Sequence, residues 1–122
     1  MKKLLCSLFA LSAVSTAMAQ EVNIKLLGTS DIHGRVVPWS YGADVEDKSG
    51  SYAQIATYVK DVRKNNKNVV LVDVGDAIQD NQVDVFAKDK KYYKDHPIPK
   101  VLNEMKYDVF VLGNHEFNFG ME

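Results

Sequence analysis

Apolar and polar positions alternate from Val22 to Leu27, with Val22, Ile24 and Leu26 apolar, which predicts a first β-strand ending just before Asp31. Residues Val36 to Gly50 break the pattern with Pro38, Gly42 and several acids, and read as an exposed loop. Its Trp39 and Tyr41 are either local packing residues or part of a cleft wall. The period then changes. From Ser51 to about Asn65 the apolar Ile55, Tyr58, Val59 and Val62 fall on one helical face, Ser51 is suited to cap the helix, and Asn65-Asn66 ends it.

Val69-Val70-Leu71-Val72 is an unbroken β-branched run, typical of a parallel strand buried on both faces. Short helical segments are predicted near Val83 to Ala87 and from Ile98 to Lys106, joined by a lysine-rich, solvated connection. A last strand, Val109 to Leu112, follows. Strand, helix, strand, helix, strand implies βαβ connections and a largely parallel α/β sheet. No internal repeat or low-complexity tract interrupts it.

The N-terminus adds a targeting signal. Lys2 and Lys3 precede an apolar stretch from Leu4 to Val14, and small residues lead to Ala17-Met18-Ala19. This layout predicts a signal peptide over residues 1–19, cleaved after Ala19, and an exported product. Cleavage removes Cys6, the one cysteine in the chain, so disulfides would not contribute to stability. Cys6 stands at the start of the apolar stretch and not after it, which argues against a lipid anchor. The stretch is also too short to span a bilayer, so stable membrane insertion after cleavage is not expected. Cleavage further removes two lysines from a chain whose formal charge is already −1. With no basic face of any size, bulk nucleic acid is a poor partner.

Three polar clusters stand at the C-terminal ends of the strands: Asp31-Ile32-His33, Gly75-Asp76 and Gly113-Asn114-His115-Glu116. Ligands of open α/β sheets gather at that edge. Oxygen donors suit hard divalent cations, and imidazole widens the choice toward zinc, iron and cobalt. Asp31 and His33 can share one ion if their loop curls. Asp76, after a glycine, can place its carboxylate between two ions, and Asn114 can offer an amide oxygen to the second. His115 is then free to face a substrate and to act as a general acid or a stabiliser of charge. Singly, each cluster has a plainer reading: a turn capped by Asp, or a helix capped by Asn114 with Glu116 as its capping partner. The conjunction at three successive strand ends favours a metal site.

With Gly34, these clusters resemble the calcineurin-like metallophosphoesterases in both order and spacing. The segments Leu27 to Gly34 and Leu112 to Gly120 look like the exported branch containing 5′-nucleotidases and 2′,3′-cyclic-nucleotide 2′-phosphodiesterase/3′-nucleotidases. The resemblance implies Asp31 and His33 on a first metal, Asp76 bridging, Asn114 on a second metal, and His115 as the catalytic histidine. It implies two divalent ions (Mn, Co, Zn, Fe or Mg) and a nucleotide or other phosphate-ester substrate.

Many 5′-nucleotidases carry an aspartate where this chain has Asn118, while a similar Glu-Phe-Asn sequence is familiar in the cyclic-phosphodiesterase members. The chain is therefore read as the cyclic-phosphodiesterase type, with a 5′-nucleotidase or nucleotide-sugar hydrolase as the alternative. A non-catalytic exported metal- or nucleotide-binding protein is the alternative from another class. The family fold is a four-layer α-β-β-α sandwich, of which residues 20–122 would form an incomplete N-terminal part. Further metal ligands would come from a missing C-terminal part of the same protein, and the 122 residues alone are expected to be inactive. His96, before Pro97 in a charged stretch, reads as a surface residue.

Overall fold

In a computed structural model, residues 20–120 are described; residues 1–19, expected from the sequence to be a signal peptide, lie outside them. Three parallel strands form the main sheet: β1 (Lys25–Thr29), β4 (Val69–Asp73) and β5 (Val109–Phe110), in the order β1-β4-β5. β1 aligns with β4 from Lys25 opposite Val69 to Thr29 opposite Asp73, and β5 places Val109 opposite Val72. Parallel alignment brings all three C-terminal ends to one edge, where the polar clusters emerge. β1 begins three residues later than the alternation predicts and ends, as expected, just before Asp31.

Helix α1 (Tyr52–Asn65) begins where expected. Ser51, fully buried and extended, accepts a hydrogen bond from the Gln54 N–H and donates its own to Gln54 Oε1 at 2.9 Å. The first-turn N–H groups of Tyr52 and Ala53 donate to the carbonyls of Arg35 and Val36, fastening α1 to the chain that leaves the first polar cluster. Tyr52 and Val59 are buried in the core with Leu71, Ala77, Ile98 and Met105, and Ile55 and Ala56 pack against them. Tyr58, expected on that face, is instead exposed. Six positions after Tyr52 it has rotated well away from the stripe that Tyr52 and Val59 define.

Two short helices, α2 (Asp84–Lys88) and α3 (Pro97–Glu104), complete the layer. At the end of α3, Lys106 takes a positive φ of 56°, which stops the helix before the predicted boundary. Arg63 at the end of α1 donates to the Met105 and Lys106 carbonyls at 2.5 and 2.7 Å, so one guanidinium covers the carbonyls beyond α3.

The region read as a plain loop contains a small antiparallel hairpin, β2 (Trp39–Ser40) paired with β3 (Val45–Glu46). The lysine-rich connection is a 3-10 helix over Lys90–Asp95, capped by the Asp89 side chain, and it is solvated as expected. His96 corrects a further expectation. It is buried, and its Nδ1 accepts the Ile98 N–H at 3.2 Å, which makes it the N-cap of α3 with Pro97 in the first helical position. No helix among the described residues is long and apolar enough to cross a membrane.

Candidate metal centre

The chain leaving β1 and the chain leaving β4 remain hydrogen-bonded beyond the strands. Asp31 N–H donates to the Gly75 carbonyl, His33 N–H to that of Asp76 and Gly34 N–H to that of Ala77, at 2.8–3.0 Å. To make these bonds while turning, Asp31, His33 and Asp76 adopt left-handed backbone conformations with φ of 55°, 50° and 57°. Asp and His tolerate this region better than most residues. One ligand-competent atom from each residue lies within 4.8 Å of the others. Metal–ligand bonds of about 2.0–2.3 Å put donor atoms on one ion up to about 4.5 Å apart, so this set fits a divalent cation with small adjustment.

The His33 ring is also held in the tautomer that a metal ligand needs. Its Nδ1 lies 3.2 Å from the Gln79 carbonyl, which can only accept, so Nδ1 carries the proton. Nε2 is left with its lone pair, 3.9 Å from Asp31 Oδ1. A carbonyl fixing the tautomer of a ligating imidazole is a recurrent feature of metal sites.

Close approach of the β4 and β5 ends depends on two glycines. A Cβ on Gly75, whose φ is 98°, would lie 2.1 Å from the Gly113 nitrogen, and one on Gly113 would lie 2.3 Å from Asp76 Oδ1. In the contact they permit, Asp76 Oδ1 accepts the His115 N–H at 2.9 Å. Glu116 turns back beneath both loops. Its Oε2 accepts from Asp76 N–H at 2.8 Å and Gly113 N–H at 2.7 Å, and its Oε1 from Ala77 N–H at 2.7 Å.

Asp73 supports the same turn from the core. Fully buried, it accepts from Gly75 N–H at 2.9 Å and from the Thr29 hydroxyl at 2.6 Å. Burial pushes its carboxyl above the usual range, while these two hydrogen bonds oppose the shift. Since the Thr29 proton goes to Asp73, the Tyr107 hydroxyl 3.0 Å away donates to Thr29.

The His115 ring stands edge-on to His33 with centroids 5.4 Å apart. The Asn118 amide nitrogen lies 2.5 Å from Gln79 Oε1 and 3.0 Å from His115 Nδ1. An amide nitrogen only donates, so His115 Nδ1 accepts and the ring holds its proton on Nε2. Asn114 is exposed at the start of the 3-10 turn His115–Phe117, directly after the glycine that touches Asp76, and no hydrogen bond from its side chain caps that turn. The structure thus brings Asp31, His33, Asp76 and His115 together and sets Asn114 beside them. Next to His33, Asp80 approaches Nδ1 to 3.7 Å and opens a polar recess of about 240 Å³ lined by Arg35, Trp39, Tyr41, Asp47 and Asn81.

The supports from Glu116, Asp73 and Gln79 were not legible as parts of a site. Only the spacing from Gly113 to Glu116 carried a signal, and it also suits an ordinary helix cap.

A parallel α/β sheet with acidic and imidazole donors converging at its C-terminal edge has the make-up of a metal-binding α/β protein. Residues 24–122 match the calcineurin-like phosphoesterase family, and the chain belongs to it. The trifunctional nucleotide phosphoesterase protein YfkN of Bacillus subtilis is 39% identical over 112 residues, covering 85% of this chain and 8% of that protein. A 2′,3′-cyclic-nucleotide 2′-phosphodiesterase/3′-nucleotidase of Haemophilus influenzae is 37% identical over 120 residues, covering 94% and 18%. The crystal structure of YfkN superposes with a TM-score of 0.72 at 40% identity, over 80% of this chain and 31% of that one. The chain spans less than a fifth of the length of these two curated relatives.

Proposed function

We propose that residues 20–122 are the N-terminal portion of the catalytic domain of an exported metallophosphoesterase that hydrolyses nucleotide phosphoesters, of the 2′,3′-cyclic-nucleotide 2′-phosphodiesterase/3′-nucleotidase type. The observation that carries this reading is the convergence of Asp31, His33 and Asp76 on one point, with His115 against His33. Asp31 and His33 would hold one divalent ion, Asp76 would bridge to a second, and Asn114 would complete the contribution of this segment. Divalent ions in such a site supply Lewis-acid polarisation of the phosphoryl group and a nucleophile at neutral pH.

This chain's own residues hold protons where the site needs them. His33 keeps its proton on Nδ1 at the Gln79 carbonyl and presents a neutral Nε2. His115, held by Asn118 at Nδ1, presents Nε2–H, which can hydrogen-bond the phosphoryl or departing ribose oxygen and stabilise the charge that develops there. A neutral amide at position 118 orients that ring without adding a charge. Export rests on the N-terminal pattern of residues 1–19, and the remaining ligands and the nucleoside contacts would come from the rest of the protein.

The test is hydrolysis by the full-length protein, with Mn²⁺, of 2′,3′-cyclic AMP, 5′-AMP and a nucleotide sugar. We expect water to open the cyclic ester at the 2′ oxygen, giving 3′-AMP and then adenosine and phosphate. A chelator should abolish turnover, and His115→Ala should lower kcat by about 10²–10³-fold. Turnover of 5′-AMP alone would assign a 5′-nucleotidase instead. Mn²⁺ binding with none of the three substrates hydrolysed would assign a non-catalytic binder.

A further inference from the structure

We propose that Glu116 is the positioning residue of the metal centre: without touching metal or substrate, its carboxylate sets the distance between the bridging Asp76 and the turn that carries Asn114 and His115. A helix cap explains only part of what Glu116 does. Its bond to Gly113 N–H resembles the reach-back of a capping side chain, but it falls one residue before the cap position of the 3-10 turn. The other two bonds go to Asp76 and Ala77, which follow a different strand and lie 40 and 39 residues away in sequence.

Geometry gives these bonds their leverage. Glu116 Oε2 accepts from Asp76 N–H and Gly113 N–H together, so a single oxygen ties the two loops. A second link runs the other way, from His115 N–H to Asp76 Oδ1, and fixes the rotation of the bridging carboxylate. Between the two links, Gly75 and Gly113 leave no room for a Cβ, so the loops are in backbone contact and move as one. If the carboxylate is neutralised, three N–H groups compete for one amide oxygen, and the amide N–H₂ opposes at least one of them. The Asp76 turn then loses its registration against Asn114. Outer supports of this kind, when mutated, typically reduce metal affinity by about 10–100-fold.

This role rests on the metallophosphoesterase reading, but its test needs no substrate. In the full-length protein, amide hydrogen exchange is compared without metal for the wild type and Glu116→Gln, and both are titrated calorimetrically with Mn²⁺. The variant should exchange faster at 76, 77 and 113 and bind Mn²⁺ about tenfold or more weakly, while protection across α1 is unchanged. Faster exchange confined to 113, or Mn²⁺ affinity within about twofold of wild type, would reduce Glu116 to a helix cap. Should Glu116→Gln fail to fold, Glu116→Asp keeps the charge but is one methylene shorter, and the same comparison applies to it. Failure of the wild type to bind Mn²⁺ would overturn the functional reading and this role with it. Wild-type binding that the variant retains would overturn this role alone.

Discussion

At the scale of single residues, the site is made by side chains whose backbones sit in a costly conformation. Left-handed φ costs an L-residue about 1–2 kcal/mol, and Asp31, His33 and Asp76 all adopt it at the point where they converge. Nothing in a sequence displays φ, so the residue types were legible and their conformation was not. His96 shows the same limit in a structural role. A histidine among lysines and aspartates reads as solvated, yet the His-Pro pair starts a helix and the ring folds beneath it. Burial lowers the pKa of His96 from its ordinary 6.5. Its folded pKa being depressed, the imidazole contributes stability that is present above the unfolded value. That contribution is lost as pH falls and the unfolded chain takes up a proton the folded chain resists. Denaturant unfolding followed from about pH 7 to about pH 5 should show the wild type losing stability more steeply than His96→Asn, which keeps a capping acceptor without the titration. Equal slopes would contradict the assignment.

At the scale of elements, legibility followed length and periodicity. α1 has fourteen residues with a recurrent apolar face and a serine at its start, and the structure matches its predicted ends. Two-residue strands such as β2 and β3 cannot display a period, and only their cross-strand pairing, which is a tertiary fact, creates them. β5 shows a related limit: four apolar residues read as strand, but only Val109–Phe110 pair fully. Val111 N–H still donates to the Asp73 carbonyl before the chain turns into Gly113. The Ser51 cap belongs at this scale because α1 also anchors the chain leaving Asp31 and His33, through Tyr52 and Ala53. Ser51→Ala should cost about 1–2 kcal/mol in denaturant unfolding, since it strips both Ser51–Gln54 hydrogen bonds from a buried cap. A loss below about 0.3 kcal/mol would mean that the Arg35 and Val36 carbonyls alone set the helix start.

At the scale of the whole molecule, the sheet has one covered and one bare side. Leu27, Leu71 and Phe110 pack beneath the helices, while Leu26, Val109 and Val111 are about half exposed or more. An apolar face of this kind is seldom left to solvent. The sequence pattern foreshadowed it, because Val69 to Val72 reads as buried on both sides while the predicted helices suffice for one. The three donor clusters were legible for the same reason that the sheet was: each follows a strand, and parallel strands deliver their ends to one edge. What pattern could not supply was the arrangement behind them, in which Asp73 and Glu116 from opposite directions hold the turn bearing Asp76.

The central claim is that Asp31, His33 and Asp76 form one cation site, and anomalous X-ray scattering from crystals of the full-length protein grown with Mn²⁺ tests it most directly. The account predicts an anomalous peak bonded to Asp31, His33 and Asp76, with a second peak sharing Asp76 and reaching Asn114. It also predicts that Asp76→Ala removes at least one of them. Peaks only at other residues, or an unaltered pair in Asp76→Ala, would contradict it.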